Sequence, residues 1–493
     1  MPLRKSSGIS SGLATDASLA CPQTNGGNWD EEGCLVANIA TSWLPSPAEQ
    51  DSKKGLRPIF VWLHGGGFIS GSGLDPTFSG GNLASRSDVV VISANYRLGT
   101  LGWLAINDQV PGNYGLSDII TLLRWVRSNA AAFGGDPSRV TVAGQSSGAQ
   151  LVQMLLRSSA AEGLFHRAIV QSGRPYDDAN QRQDSAIAGD KRGKDIARQL
   201  GCDPESGGLL DCLQALPTNK FLKSGNVMSQ PVVDGDLIDD AQLDVRSPAD
   251  ATGFVNRVPL MQGFMRDEMA SLGPAPGMLD VTMDDALTAV GISKASRDIV
   301  ESRPDAFPVP VLNNGVERLA FQVATDVLSI SRCGQEASFH ALASNLVFPH
   351  LYTYIFDSKS YQIDWDPNEV CSGDKDIAQL DRNYHCHSGD LLPVFGTLGF
   401  FMKPLRLGDL SWLRQISDQW MSFVRDGDPN PSKTYLGARG YDQPSGSQWD
   451  PMRPSAANMM SLGAEQRMVP LDQQGTQCAL LKRPLKYIER QAR

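Results

Sequence analysis

Three consecutive segments constrain the fold of this chain more than any other feature. Val140-Thr141-Val142-Ala143 is a β-rich apolar run, Gly144-Gln145-Ser146-Ser147-Gly148 is a tight turn, and Ala149 to Leu156 reads as a helix. A G-x-S-x-G turn between a strand and a helix holds its serine in a strained backbone conformation. The hydroxyl stands above the sheet, and the glycines let strand and helix pack closely around it. An ordinary glycine-rich turn can carry the same pattern, so the motif alone leaves the role of Ser146 open.

A second element lies upstream. Pro58-Ile59-Phe60-Val61-Trp62-Leu63 reads as a buried strand and runs into His64-Gly65-Gly66-Gly67-Phe68. Ester hydrolysis develops an oxyanion on the attacked carbonyl, and backbone N–H groups in a fixed loop stabilise it without reorganising. Removing one such donor typically costs on the order of 3 kcal/mol of barrier. The N–H groups of Gly66, Gly67 and Ser147 are the candidate donors. The competing reading is a phosphate-cradling loop. No Gly-Lys-Ser/Thr follows, however, and the acidic residue about 20 positions on, Asp88, precedes a strand rather than ending one.

A serine nucleophile needs a base, and the chain has six histidines. His64 belongs to the candidate oxyanion loop, and His166 lies just before the strand-like Ala168-Ile169-Val170. His340 and His350 flank a predicted helix end and strand start, with no motif near them. Of the remaining two, His385 and His387, the second is favoured because it opens His387-Ser388-Gly389-Asp390-Leu391-Leu392-Pro393-Val394-Phe395-Gly396, a loop entering a helix. In the hydrolase chain order the acid falls between serine and histidine. Glu268, soon after the strand-like Val258-Pro259-Leu260-Met261, is the candidate, with Asp267 as the fallback. Such a carboxylate holds the imidazole in the tautomer that accepts the serine proton and then stabilises the imidazolium. His385-Cys386-His387 also admits a metal reading, but no further ligands at customary spacing accompany it.

Strand and helix signals alternate throughout, and 493 residues at 41% hydrophobic can bury a substantial core, so a single α/β domain over 1–493 is expected. Val89-Val90-Val91-Ile92-Ser93 is an apolar run of the buried parallel type. A glycine-rich loop and an amphipathic helix from Leu116 to Ala132 follow it. The longest apolar runs fall well short of the roughly 20 residues that cross a bilayer. A net charge of −10 argues against a nucleic-acid partner. The basic end, with Lys482, Arg483, Lys486, Arg490 and Arg493, reads as a solvated face.

Further segments join these motifs: Gly112-Asn113-Tyr114-Gly115-Leu116-Ser117-Asp118, Phe133-Gly134-Gly135-Asp136-Pro137, Gly163-Leu164-Phe165-His166-Arg167-Ala168-Ile169 and Gln171-Ser172-Gly173. Together they resemble the type B carboxylesterase family, the cholinesterase-like branch of the α/β-hydrolases, over nearly the whole chain. The resemblance implies an α/β-hydrolase fold, with a mostly parallel central sheet flanked by helices and helical insertions over the active site. It also implies a serine carboxylic-ester hydrolase acting on a small-molecule ester through an acyl-enzyme, without metal or organic cofactor. Carried over by position, it makes Ser146 the nucleophile, Glu268 the acid, His387 the base, and Gly66, Gly67 and Ser147 the oxyanion donors. Lactone opening, amide hydrolysis and transacylation use the same residues and stay open. A non-catalytic adhesion protein on this fold would have lost a triad residue, whereas all three are present.

Two departures from the family pattern stand out. The residues flanking the nucleophile are usually Glu and Ala, and here they are Gln145 and Ser147. The family's Glu-Asp-Cys-Leu appears as Glu32-Gly33-Cys34-Leu35, without the acidic partner of a structural ion pair. Family members also carry additional residues before the segment matching Cys21, so the chain is expected to be shortened at its N-terminus relative to them.

Eight cysteines can pair completely. Cys21 with Cys34, and Cys202 with Cys212, resemble disulfide loops of the family, and Cys333 with Cys478 resembles its long-range third bridge. Cys371 and Cys386 remain, and a bridge there would tether the loop next to His387. Paired cysteines imply an oxidising compartment or secretion. The start, Met1-Pro2-Leu3-Arg4-Lys5-Ser6-Ser7-Gly8, lacks the apolar core of a signal peptide.

Overall fold

The computed structural model describes residues 20–24, 29, 33–52, 54–175, 186–223, 231–238, 255–272, 282–311, 315–328, 331–357, 371, 384–397, 407–440, 447–463, 465–471 and 475–481. Their centre is a nine-stranded sheet. In chain order its strands are β1 (Ala37–Ala40), β2 (Arg57–Leu63), β3 (Val90–Ala94), β4 (Gly135–Gln145), β5 (Arg167–Gln171), β6 (Leu260–Met265), β7 (Leu351–Phe356), β8 (Asn458–Leu462) and β9 (Gln466–Pro470). They lie side by side as β1-β3-β2-β4-β5-β6-β7-β8-β9. All neighbours are parallel except the outer pairs, β1 with β3 and β8 with β9. The chain runs from β2 outward to β3 and then back across to β4. The carboxyl ends of β2 and β4 thus flank a point where the order reverses, the place where open α/β sheets bind ligands.

The apolar runs form strands because both faces of the sheet are covered, as parallel sheets require. Along β2, Ile59, Val61 and Leu63 enter one core with Leu116, Ile119, Leu123, Val140 and Val142. This core packs the helix Tyr114–Asn129 and the helix Ser147–Leu155 onto the sheet. Phe60 and Trp62 enter the opposite core, with Trp412, Trp420 and Phe423 of the helix Leu407–Asp426. A third cluster lies between β6 and β7 in sequence, on the helices Met283–Ala289, Lys294–Ser302 and Gly315–Val327, and takes in Tyr384, Cys371 and Cys386.

The helix expected from Leu116 to Ala132 instead runs from Tyr114 to Asn129, and a 3-10 turn continues it over Ala130–Phe133. Gly134, at φ 79, ends that turn in the left-handed conformation. β4 then begins at Gly135, ahead of the apolar run, because Arg57 pairs with Gly135 before the register shifts to Ile59 with Val140. Asp88 caps the helix Gly81–Ser87 at its C-terminus and pairs with Arg57 at 2.9 Å, a structural place. Four disulfides join Cys21 to Cys34, Cys202 to Cys212, Cys333 to Cys478 and Cys371 to Cys386. Among the described residues no helix is long and apolar enough to cross a membrane.

Candidate active site

The turn carrying Ser146 is fixed by sterics. Ser146 sits at φ 57 and ψ −123, outside the regions open to most side chains, which costs about 1–3 kcal/mol and persists only where the surroundings enforce it. The surroundings are close backbone crossings. A Cβ on Gly148 would lie 2.1 Å from the Leu63 carbonyl oxygen, and one on Gly144 would lie 2.4 Å from the Gly148 carbonyl carbon. The Ser146 N–H donates to the Gln171 carbonyl of β5 at 2.9 Å, and its own carbonyl accepts from Gln150 N–H at 3.0 Å. Ser146 is half-buried and Ser147 fully buried.

The glycine loop stands against this turn because Leu63 and Gly144 are register partners on adjacent strands. A Cβ on Gly65 would lie 3.1 Å from Ser146 Cβ and 2.9 Å from Gln145 Oε1. Gly66 adopts φ 113, and its carbonyl accepts from Ile69 and Ser70 N–H at 3.1 and 3.0 Å. Gly66 and Gly67 are exposed. Ser147 opens its helix, where the first N–H groups have no intrahelical acceptor. His64 lies beneath the loop, stacked on Tyr96 with ring centroids 4.4 Å apart, and its Nδ1 is 2.7 Å from the Gly65 carbonyl. Burial lowers its pKa to about 4, so it stays neutral near pH 7.

Glu268 and His387 meet near the end of β4, where Gln145 reaches the imidazole. His387 Nδ1 is 2.5 Å from Glu268 Oε2, and the other carboxylate oxygen accepts from Met265 N–H at 2.8 Å. Both residues are almost fully buried. Asp267, the fallback acid, has different partners. It accepts from Arg266 at 2.9 Å and from the His385 N–H at 2.8 Å, while its own N–H donates to the His385 carbonyl at 3.0 Å. Burial pushes its pKa up most strongly, but the charge and hydrogen bond of Arg266 together with His385 outweigh that and hold it below the usual carboxylate range. Asp267 therefore stitches the segment carrying His387 to the end of β6. Burial drops the His385 pKa to about 3, and the Cys386 sulfur is committed to Cys371. His166, His340 and His350 lie elsewhere in the fold: His166 Nδ1 accepts from Val140 N–H at 3.2 Å.

In one respect the structure differs from the sequence expectation. The nitrogen that should take the serine proton, His387 Nε2, is 3.1 Å from Gln145 Nε2. Among the described residues the Ser146 hydroxyl has no hydrogen-bond partner. The reason is position: Gln145 is the last residue of β4, is 2% exposed, and projects beneath the turn toward the imidazole.

Sequence reasoning also missed a polar group beside the pair. Gln171, in register with Gln145, donates to Asp390 at 2.7 Å and accepts from Trp420 Nε1 at 3.0 Å. Asp390 is fully buried, and burial raises its pKa to about 6. No spacing rule joins these residues. Only the strand order brings them together.

The strand order, the turn after β4 and the arrival of Glu268 and His387 from the far half of the sheet are those of an α/β-hydrolase. Comparison with known proteins narrows that class: the sequence pattern described as "Carboxylesterase family" matches residues 10–306, and the chain belongs to this family. It is similar to para-nitrobenzyl esterase of Bacillus subtilis (strain 168), 28% identical over 418 residues that cover 81% of this chain and 75% of that protein. It is also similar to bile salt-activated lipase of Rattus norvegicus, 27% identical over 449 residues, covering 85% of this chain and 69% of the lipase. Neuroligin-2 of Homo sapiens is 37% identical over 218 residues, covering 43% of this chain and 25% of that one. Family membership and the esterase relatives make this an ester-hydrolysing enzyme whose substrates are small-molecule esters.

Proposed function

We propose that the enzyme cleaves carboxylic esters through an acyl-enzyme on Ser146, with His387 as base and Glu268 as the acid that orients it. The observation that carries this reading is the buried 2.5 Å contact of His387 Nδ1 with Glu268, with His387 Nε2 3.1 Å from Gln145, the residue before the strained Ser146. That contact places the ring proton on Nδ1 and leaves the Nε2 lone pair as acceptor. The Ser146 oxygen bonds to the ester carbonyl carbon while its proton passes to Nε2, and the Gly66, Gly67 and Ser147 N–H groups receive the oxyanion. The bond to the alcohol oxygen then breaks, and the alcohol leaves with that proton. A water molecule repeats the sequence, its proton going to Nε2 and on to the Ser146 oxygen as the carboxylic acid departs. The four disulfides fit work in an oxidising compartment, and we infer a secreted enzyme.

An organophosphonate reagent tests this reading. It is expected to label Ser146 in the wild type, and Ser146→Ala is expected to stay folded while losing hydrolysis of p-nitrophenyl esters. Undiminished hydrolysis by the purified variant overturns the proposal. A panel of ester, lactone and amide substrates is expected to favour esters.

A further inference from the structure

Among the described residues no hydrogen bond joins His387 Nε2 to the Ser146 hydroxyl, and the residue that meets Nε2 is Gln145. Its carboxamide nitrogen is 3.1 Å from His387 Nε2, and its oxygen faces Gly65 of the glycine loop. The orientation follows from chemistry. An imidazole that donates from Nδ1 to Glu268 has only a lone pair at Nε2, and that lone pair can be met by an amide N–H but not by an amide oxygen. One lone pair accepts one strong hydrogen bond, so the Gln145 amide and the Ser146 hydroxyl compete for it.

From this geometry we propose that Gln145 is a positioning residue that caps the catalytic base, holding His387 in its proton-accepting tautomer at rest and yielding Nε2 to the Ser146 hydroxyl when substrate enters. The proposal rests on the acyl-enzyme reading above and specifies how its base is held. Glutamine suits the task because its carboxamide has two faces. The N–H donates to the neutral ring. Once Nε2 carries the serine proton, rotation about Cγ–Cδ turns the oxygen toward the new N–H. A glutamate here could do only the second.

The charged and titratable groups around His387 make the cap testable by pH. Glu268 holds Nδ1 from the turn after β6. Asp390 stands at the start of the following helix and interacts with the Tyr354 hydroxyl of β7. Asp267 accepts from the His385 N–H and from Arg266, the His385 ring faces Asp357, and His64 lies under the glycine loop. From β4 the ring meets the neutral Gln145 carboxamide.

Two variants decide the matter. Gln145→Glu keeps the shape but replaces the donor with a carboxylate, which favours the protonated ring. The acid limb of kcat/KM is expected to move up by about one pH unit. Gln145→Met has similar length and no donor, freeing Nε2. Organophosphonate labelling of Ser146 on the pH plateau is expected to accelerate about fivefold, the Boltzmann factor of a net hydrogen bond of about 1 kcal/mol. A purely structural Gln145 would change melting temperature alone. An unmoved acid limb in Gln145→Glu, or unaccelerated labelling in folded Gln145→Met, overturns the cap. If Gln145→Met does not fold, the limb of the isosteric Gln145→Glu decides. Failure of the reagent to label Ser146 in the wild type would overturn the acyl-enzyme reading itself. Normal wild-type labelling with unchanged variants would overturn only the cap.

Discussion

The turn carrying Ser146 and the segment carrying His387 are positioned by different physics. The turn around Ser146 is held by backbone crossings at Gly144 and Gly148, within one strand–turn–helix unit and one flanking strand. The His387 segment has no such scaffold. It is fastened by a disulfide from Cys386 to Cys371, by Asp267 bridging to the His385 backbone, and by Tyr384, whose hydroxyl donates to Glu317 at 2.9 Å. Ser388, directly after His387, adopts φ 71. A local motif thus carries its own geometry, whereas a base brought in from a distant part of the chain depends on separate fastenings.

The comparison is broken most forcefully at the acid. Glu268→Gln is expected to lower turnover by about 10⁴, because the imidazole loses the carboxylate that orients it. Asp267→Asn, which loosens the stitch without touching the ring, is expected to have a much smaller effect. The reverse ranking in steady-state kinetics would move the acid by one residue.

The fastenings come next. The Cys371–Cys386 bridge closes a loop with a sequence separation of 15. A loop of that size is worth about 3 kcal/mol in the chain-entropy model. In the double variant Cys371→Ser/Cys386→Ser, activity is expected to fall at temperatures where circular dichroism still reports a folded sheet. Gly148→Ala is expected to behave oppositely. The added carbon meets the Leu63 carbonyl, costing up to about 3 kcal/mol, and activity and stability are expected to fall together. Parallel melting and activity curves for the cysteine variant would erase the distinction.

The smallest effect concerns pH. The Asp390 pKa is raised by burial from 3.8 to about 6, so the folded state holds that proton more tightly than the unfolded chain. The resulting stability is fully present below about pH 4 and is lost as pH rises through about 6. Asp390→Asn is expected to remove this loss, narrowing the stability difference between pH 5 and pH 8 by on the order of 1 kcal/mol in urea unfolding. An unchanged difference would show that Asp390 is not the titrating group.

The same contrast explains what could be read from sequence. The turn around Ser146 and the glycine loop are consecutive residues next to apolar strands, so their pattern is local and visible. Glu268 and His387 could be named only through chain order and family resemblance, being 119 residues apart in a pair that the sheet topology brings together. Gln171, Tyr354 and Asp390 come from three different elements, and nothing in their spacing announces that they meet. Gln145 was visible as a departure from the family pattern, but its direction toward His387 depends on how deeply the end of β4 is buried.

The central claim is that Ser146 carries the acyl group during turnover. Enzyme mixed with p-nitrophenyl acetate, quenched in acid within the first turnovers and digested, is to be mapped by mass spectrometry. An acetyl group is expected on the peptide containing Ser146, accumulating with the burst of p-nitrophenol and absent from Ser146→Ala. Acetate released with no acylated Ser146 peptide, or an acetyl group on another residue with turnover intact in Ser146→Ala, would contradict it.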